Sequence, residues 1–147
     1  NVFFIFVERN PVSNARSILQ ARKKYFGDEK KWYSFKPPEF DALSLLSPVN
    51  QVVGQVRYTH EAIRAGLREI PESRSFSVSY ESFCAHPRKV YQAIKKRLGE
   101  IGFETCKTYS GVSKFTVNPE PTTRLTQRIR KAFDFFENSD RREPGGD

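Results

Sequence analysis

The run Val2-Phe3-Phe4-Ile5-Phe6-Val7 sets the strongest constraint on how this chain can fold. Every position is apolar, mostly β-branched or aromatic, and the alternation that marks a strand with one wet face is absent. Such a run predicts a strand buried on both faces, the pattern of a parallel α/β sheet rather than of an exposed hairpin. Arg9-Asn10-Pro11 follows at once, so Arg9 stands at the carboxyl end of that strand. Open α/β sheets bind ligands at that end, and Pro11 suits a sharp exit into the first turn of a helix.

The spacing predicts a helix over 11–22 with Ser17 about two turns in. Arg9 and Ser17 can converge on one small anion if the loop folds back towards the helix. A guanidinium and a hydroxyl suit phosphate: the planar fork matches its oxygens, and a helix start adds free N–H groups and a positive dipole end. Arg16 and Arg22 are expected to add local positive charge. The residues by themselves also fit a plain turn followed by a helix surface.

Downstream, Ser47-Pro48 reads as a cap followed by proline at the first helical position. Val49, Val52, Val53, Val56, Ile63, Leu67 and Ile70 then keep helical spacing up to Pro71. This crossover helix returns the chain to a second strand over 76–80, and the handedness rule makes the two strands parallel. A helix over 87–98 turns Val90, Tyr91, Ile94 and Leu98 inward, with Gly99 or Gly102 closing it. A last helix over 123–136 gathers Leu125, Ile129, Ala132, Phe133 and Phe136 on one face, and the polar tail over 138–147 is expected to be disordered.

Arg9-Asn10-Pro11-Val12-Ser13-Asn14-Ala15-Arg16-Ser17, straight after an apolar strand, resembles the 3′-phosphate-binding segment of sulfotransferases that use 3′-phosphoadenosine 5′-phosphosulfate. Ser75-Phe76-Ser77-Val78-Ser79-Tyr80-Glu81, followed by Pro87 and a helix ending in Leu98-Gly99, is similar to that family's second strand with its Tyr-Glu, short loop and helix. The resemblance implies a P-loop nucleotide hydrolase-like fold: a three-layer α/β domain with a parallel sheet and flanking helices, present here in part over 1–137. It implies that Arg9 and Ser17 grip the 3′-phosphate, that Tyr80 packs by the adenine, and that Glu81 is a structural hydrogen-bonding residue. Ser110, Gly111, Ser113 and Lys114 precede Val117-Asn118-Pro119 where family members close a basic loop over the nucleotide. Lys114 becomes a phosphate contact by resemblance, although the family's Arg-Lys-Gly form is missing.

The implied reaction moves a sulfuryl group from 3′-phosphoadenosine 5′-phosphosulfate to a hydroxyl or amine, with no metal required. The acceptor stays open between small alcohol, glycan and protein. The family's upstream loop for the 5′-phosphosulfate has no counterpart in these residues: Gly27-Asp28-Glu29-Lys30 lacks a preceding strand and a second glycine. With no Met and an apolar opening, the chain is expected to be a fragment of a longer protein, and the resemblance implies a C-terminal portion that is inactive alone. A nucleotide-binding module without catalysis, and a basic domain that binds nucleic acid or another polyanion, are the alternative readings.

The net charge of +8 suits an anionic partner of either kind, but the basic residues are scattered and no nucleic-acid module is recognisable. Trp32, Tyr33, Phe35 and Phe40 among Pro37 and Pro38 predict an ordered loop, near the acceptor by resemblance. Cys84 and Cys106 are too few for a disulfide framework, and Cys84 reads as a small buried hydrophobe. His60 reads as a structural histidine and His86 as a helix-start residue. The compartment stays open between cytoplasm and Golgi lumen.

Overall fold

A computed structural model describes residues 2–117 and 120–140. The fold is α/β and mostly helical, with a two-stranded parallel sheet. The chain divides into two compact units, Asn1–Asn10 with Arg64–Pro119 and Pro11–Ile63 with Glu120–Asp147.

The first unit holds the sheet. Strand β1 (Phe4–Glu8) pairs in parallel with β2 (Ser75–Ser79), Phe4 facing Ser75 and Glu8 facing Ser79. In β2 the period of two is plain: Phe76 and Val78 are half-buried while Ser77 and Ser79 face water. In β1 the expectation of a strand covered on both faces is corrected. Phe6 is buried, but Ile5 and Val7 on the opposite face are 48% and 47% exposed. A strand with one neighbour and one packed face buries only alternate side chains, so the unbroken apolar run overstates its coverage. Correspondingly, the described sheet has two strands rather than the wider three-layer sheet expected.

The sheet leads directly into helices. The second strand ends at Ser79, one residue earlier than expected, because Ser79 caps helix α4 (Tyr80–Ala85): its Oγ accepts from the Ser82 N–H at 3.0 Å. Where a loop was expected after Tyr-Glu there is this short helix, with Glu81 in its favourable first turn. His86 then breaks the direction with an extended φ of −139°, and Pro87 opens helix α5 (Pro87–Glu100). That helix is closed at Gly102, which adopts φ +83°, while the Phe103 N–H donates back to the Leu98 carbonyl at 2.9 Å. Cys84 is buried, as expected of a small hydrophobe. Beyond α5 the chain is irregular but tethered: the Phe115 N–H donates to the Cys84 carbonyl at 2.8 Å, and Phe115 stacks on Phe83 at 5.4 Å.

The second unit is helical. Helix α1 (Pro11–Phe26) runs four residues past its expected end, and α2 (Phe40–Ser44) is a single short helix. The crossover helix α3 (Pro48–Arg68) starts where the Ser47-Pro48 pair predicts, the Ser47 hydroxyl accepting from the Asn50 N–H at 3.4 Å. Helix α6 (Arg124–Asp140) extends past Phe136, so its last turn takes in 138–140 of the segment expected to be disordered; the rest of that tail, 141–147, lies outside the described residues, as do Asn118 and Pro119. Ala15 and Leu19 of α1, Val49, Val52, Val53 and Val56 of α3, and Ile129 and Ala132 of α6 form the core, with Leu125, Phe133 and Phe136 packed at its edge. Gly54 lets α2 lie against α3, because any Cβ there would collide with the Leu43 side chain.

One basic residue departs from expectation. Arg22, expected to add local positive charge beside the Arg9–Ser17 segment, is fully buried in this unit. It continues the stripe of Ala15 and Leu19 at helical spacing, so the face that carries it is the core face. Its Nη1 donates to Gln51 Oε1 at 2.7 Å and to the Glu29 carbonyl at 3.2 Å, and Nη2 donates to Gln55 Oε1 at 3.2 Å. Its guanidinium also lies over the Trp32 ring, 4.8 Å from the centroid.

Candidate functional site

The two strands end side by side, and each delivers one side chain beyond its last residue. Arg9 follows Glu8 and Tyr80 follows Ser79, and Glu8 and Ser79 are partners in register. The parallel sheet therefore sets the two next residues at the same carboxyl edge. The Arg9 Cζ lies over the Tyr80 ring, 5.0 Å from its centroid. Stacking of a guanidinium on an aromatic face contributes about 0.5–1 kcal/mol at an open site.

The loop after Arg9 is fixed from the same side. The Asn10 N–H donates to Glu81 Oε1 at 3.3 Å, so the carboxylate in the first turn of α4 holds the main chain that leaves β1. This is the structural hydrogen-bonding role expected of Glu81. The Glu8 carboxylate pairs with Arg64. Two residues past Arg9, α1 begins with no acidic residue in its first turn.

Comparison with known protein families, with curated proteins and with solved structures finds no match.

Tyr80 is held in its neutral form. Its phenol titrates above the ordinary tyrosine range, chiefly because of its hydrogen bond and proximity to the Cys84 thiol, with smaller contributions from burial and from Glu81; Arg9 pulls the other way. A raised acid favours the protonated fold, so this contribution to stability is present below the ordinary tyrosine range and is lost as pH rises through the shifted value. Absorbance titration of phenolate should show a late-ionising component that disappears in Tyr80→Phe. A lost component that titrates within the ordinary tyrosine range would contradict this assignment.

Of the residues singled out in the sequence, the structure brings Arg9 and Tyr80 together. Ser17 is half-buried on α1 and belongs to the helical unit. Lys114 is exposed in the irregular segment after α5, next to the tethered Phe115. Trp32 and Tyr33 are half-buried in an ordered loop that leads to Phe40 at the start of α2: Trp32 meets Phe40 edge-to-face at 4.8 Å, and the Tyr33 and Phe35 carbonyls accept from Gln55 Nε2. His60 is half-buried and His86 joins α4 to α5. Among the described residues, no three His, Cys, Asp or Glu side chains gather as a metal would need.

Sequence reasoning missed the Ser79 cap, the Asn10–Glu81 bond and the Tyr80–Cys84 contact. The cap had a signal in the Ser79-x-x-Ser82 spacing before an apolar pair. The other two depend on residues placed 71 and four positions apart, which only the folded sheet and the following turn align.

Proposed function

We propose that this chain carries the 3′-phosphate and adenine part of the donor site of a sulfotransferase, whose reaction moves a sulfuryl group from 3′-phosphoadenosine 5′-phosphosulfate to a hydroxyl or amine acceptor. The observation that supports this reading above the others is the stacking of Arg9 on Tyr80 at the shared carboxyl edge of two parallel strands. That edge is where open α/β sheets take nucleotides. In this reading Arg9 gives the 3′-phosphate a charge-assisted partner, and Ser17 is the second phosphate contact that the family resemblance implies. Tyr80, stacked under Arg9, offers its ring to the adenine. Lys114 reaches the nucleotide from the segment tethered at Phe115. The fold that accompanies this reading is the P-loop nucleotide hydrolase-like one.

The residues of this chain bind and orient the donor. The sulfuryl group would pass in line to the acceptor oxygen or nitrogen, leaving adenosine 3′,5′-bisphosphate, with selectivity for the 3′-phosphate resting on Arg9 and Ser17.

Calorimetry with adenosine 3′,5′-bisphosphate against adenosine 5′-monophosphate tests the reading. Each charge-assisted bond to the 3′-phosphate contributes about 1.5–3 kcal/mol, so the bisphosphate should bind at least about tenfold more tightly. Arg9→Ala should remove most of that difference with little change in thermal midpoint. Equal affinity of the intact protein for the two nucleotides would sink the proposal, and a response to nucleic acid alone would favour a basic interaction domain.

A further inference from the structure

One face of α5 builds a second arrangement that shares no residue with Arg9 and Tyr80. Arg88, Tyr91, Gln92 and Lys95 follow one another at helical spacing, and Lys107, Thr108 and Tyr109 pass beside them. Together they line a cleft of about 330 Å³, at the small end of ordinary ligand sites.

The cleft is held in shape by its own polar groups. The Tyr91 hydroxyl donates to the Lys107 carbonyl at 2.7 Å, and Lys95 Nζ donates to the same oxygen at 3.2 Å. The Tyr109 hydroxyl donates to the Val112 carbonyl at 2.6 Å. Gly111 is required beneath it, since a Cβ there would come within 2.7 Å of that hydroxyl. Both phenols are thus spent on main chain, which leaves ring surface rather than hydroxyl groups to face a ligand. The rings stand 5.6 Å apart at 50°, and Arg88 lies 5.8 Å from the Tyr109 centroid.

The charge is one-sided. Arg57, Arg64, Arg97 and Arg130 each have a carboxylate partner. Among the described residues no carboxylate lines this cleft, although Arg88, Lys95 and Lys107 all do. Three cations, two fixed aromatic rings, and the amide and hydroxyl of Gln92 and Thr108 make a site for one flat ring bearing one oxyanion.

We propose that this cleft binds aromatic phosphate or sulfate monoesters, the ring lying against Tyr91 and Tyr109 and the oxyanion between Lys107 and Arg88. The volume suits a single ring, and the tilt between the two tyrosines offers one wedge rather than a track of parallel platforms along which a nucleic-acid strand could stack.

The test uses the full chain carrying Arg9→Ala, so that the donor-site reading does not contribute. Phenyl phosphate, phenyl sulfate, adenosine 5′-monophosphate and inorganic phosphate are titrated while amide and aromatic NMR signals are followed. Phenyl phosphate should shift Tyr91 and Tyr109 and bind at least about fivefold more tightly than inorganic phosphate. Lys107→Ala, an exposed position, should weaken it about tenfold, while Lys23→Ala, an exposed lysine of α1 outside the cleft, should leave it unchanged. Comparing the two phenyl esters with the nucleotide separates aryl from nucleoside ligands. Equal binding of inorganic phosphate would reduce the cleft to a bare anion patch and overturn the proposal. Binding of an oligonucleotide that tightens with length and displaces phenyl phosphate would overturn it in favour of a polyanion surface.

Discussion

Arg22→Ala should cost the protein about 3 kcal/mol or more, the largest stability loss expected of any single basic residue here. Three acceptors are left without donors: the Gln51 and Gln55 side-chain oxygens and the Glu29 carbonyl. Each buried unsatisfied group, here the two amide oxygens, costs about 1–3 kcal/mol, and the vacated volume adds to it. The damage also spreads outward. Gln51 Nε2 donates to the Ser44 and Leu46 carbonyls and Gln55 Nε2 to those of Tyr33 and Phe35, so the guanidinium orients two amides that fasten two stretches of loop. Burial pulls the Arg22 pKa below its ordinary value, and its Nε–H is buried with no acceptor, so the arrangement already carries a standing cost. Arg22→Met keeps much of the volume and should fall between wild type and alanine. Denaturant unfolding measures all three; an alanine variant within about 0.5 kcal/mol of wild type, the range of ordinary surface changes, would show that the buried fork does not hold this unit together.

Arg9→Glu should abolish discrimination between adenosine 3′,5′-bisphosphate and adenosine 5′-monophosphate. Loss of one charge-assisted bond alone weakens binding by about tenfold to a hundredfold, and a carboxylate in its place repels the 3′-phosphate. Glu81 lies beside the same edge and adds to that repulsion. Stability should respond far less, because the stacking on Tyr80 contributes only about 0.5–1 kcal/mol. The diagnostic result is thus a collapse of bisphosphate affinity with a nearly unchanged unfolding midpoint. Retained preference for the bisphosphate in Arg9→Glu would remove Arg9 from the site.

Much of the architecture was legible because it rests on period and punctuation. The α3 start follows from Ser47-Pro48, the inward face of α6 from the spacing of Leu125, Ile129 and Phe136, and the parallel pairing from a long helical crossover between two strands. Coverage was not legible. The apolar run of β1 looks the same whether a second layer lies on Ile5 and Val7 or not, since composition records what a strand tolerates rather than what surrounds it. Arg22 was misjudged for a related reason: charge argues for the surface, whereas its place on the Ala15–Leu19 stripe argues for the core, and the partners that decide the matter, Gln51 and Gln55, lie on another helix. At the candidate site, Arg9 was readable from its junction with β1, and the tyrosine from Tyr80-Glu81. Their contact required the register of the sheet.

That register has a kinetic consequence. Glu8 meets Ser79, and Asn10 meets Glu81, across a separation of 71 residues. Closing so long a loop forfeits chain freedom before any ladder bond repays it, whereas each helix can wind from its neighbours alone. During refolding the ends of β1 and β2 are therefore expected to join late, and Arg9 meets Tyr80 only when that slow closure is complete.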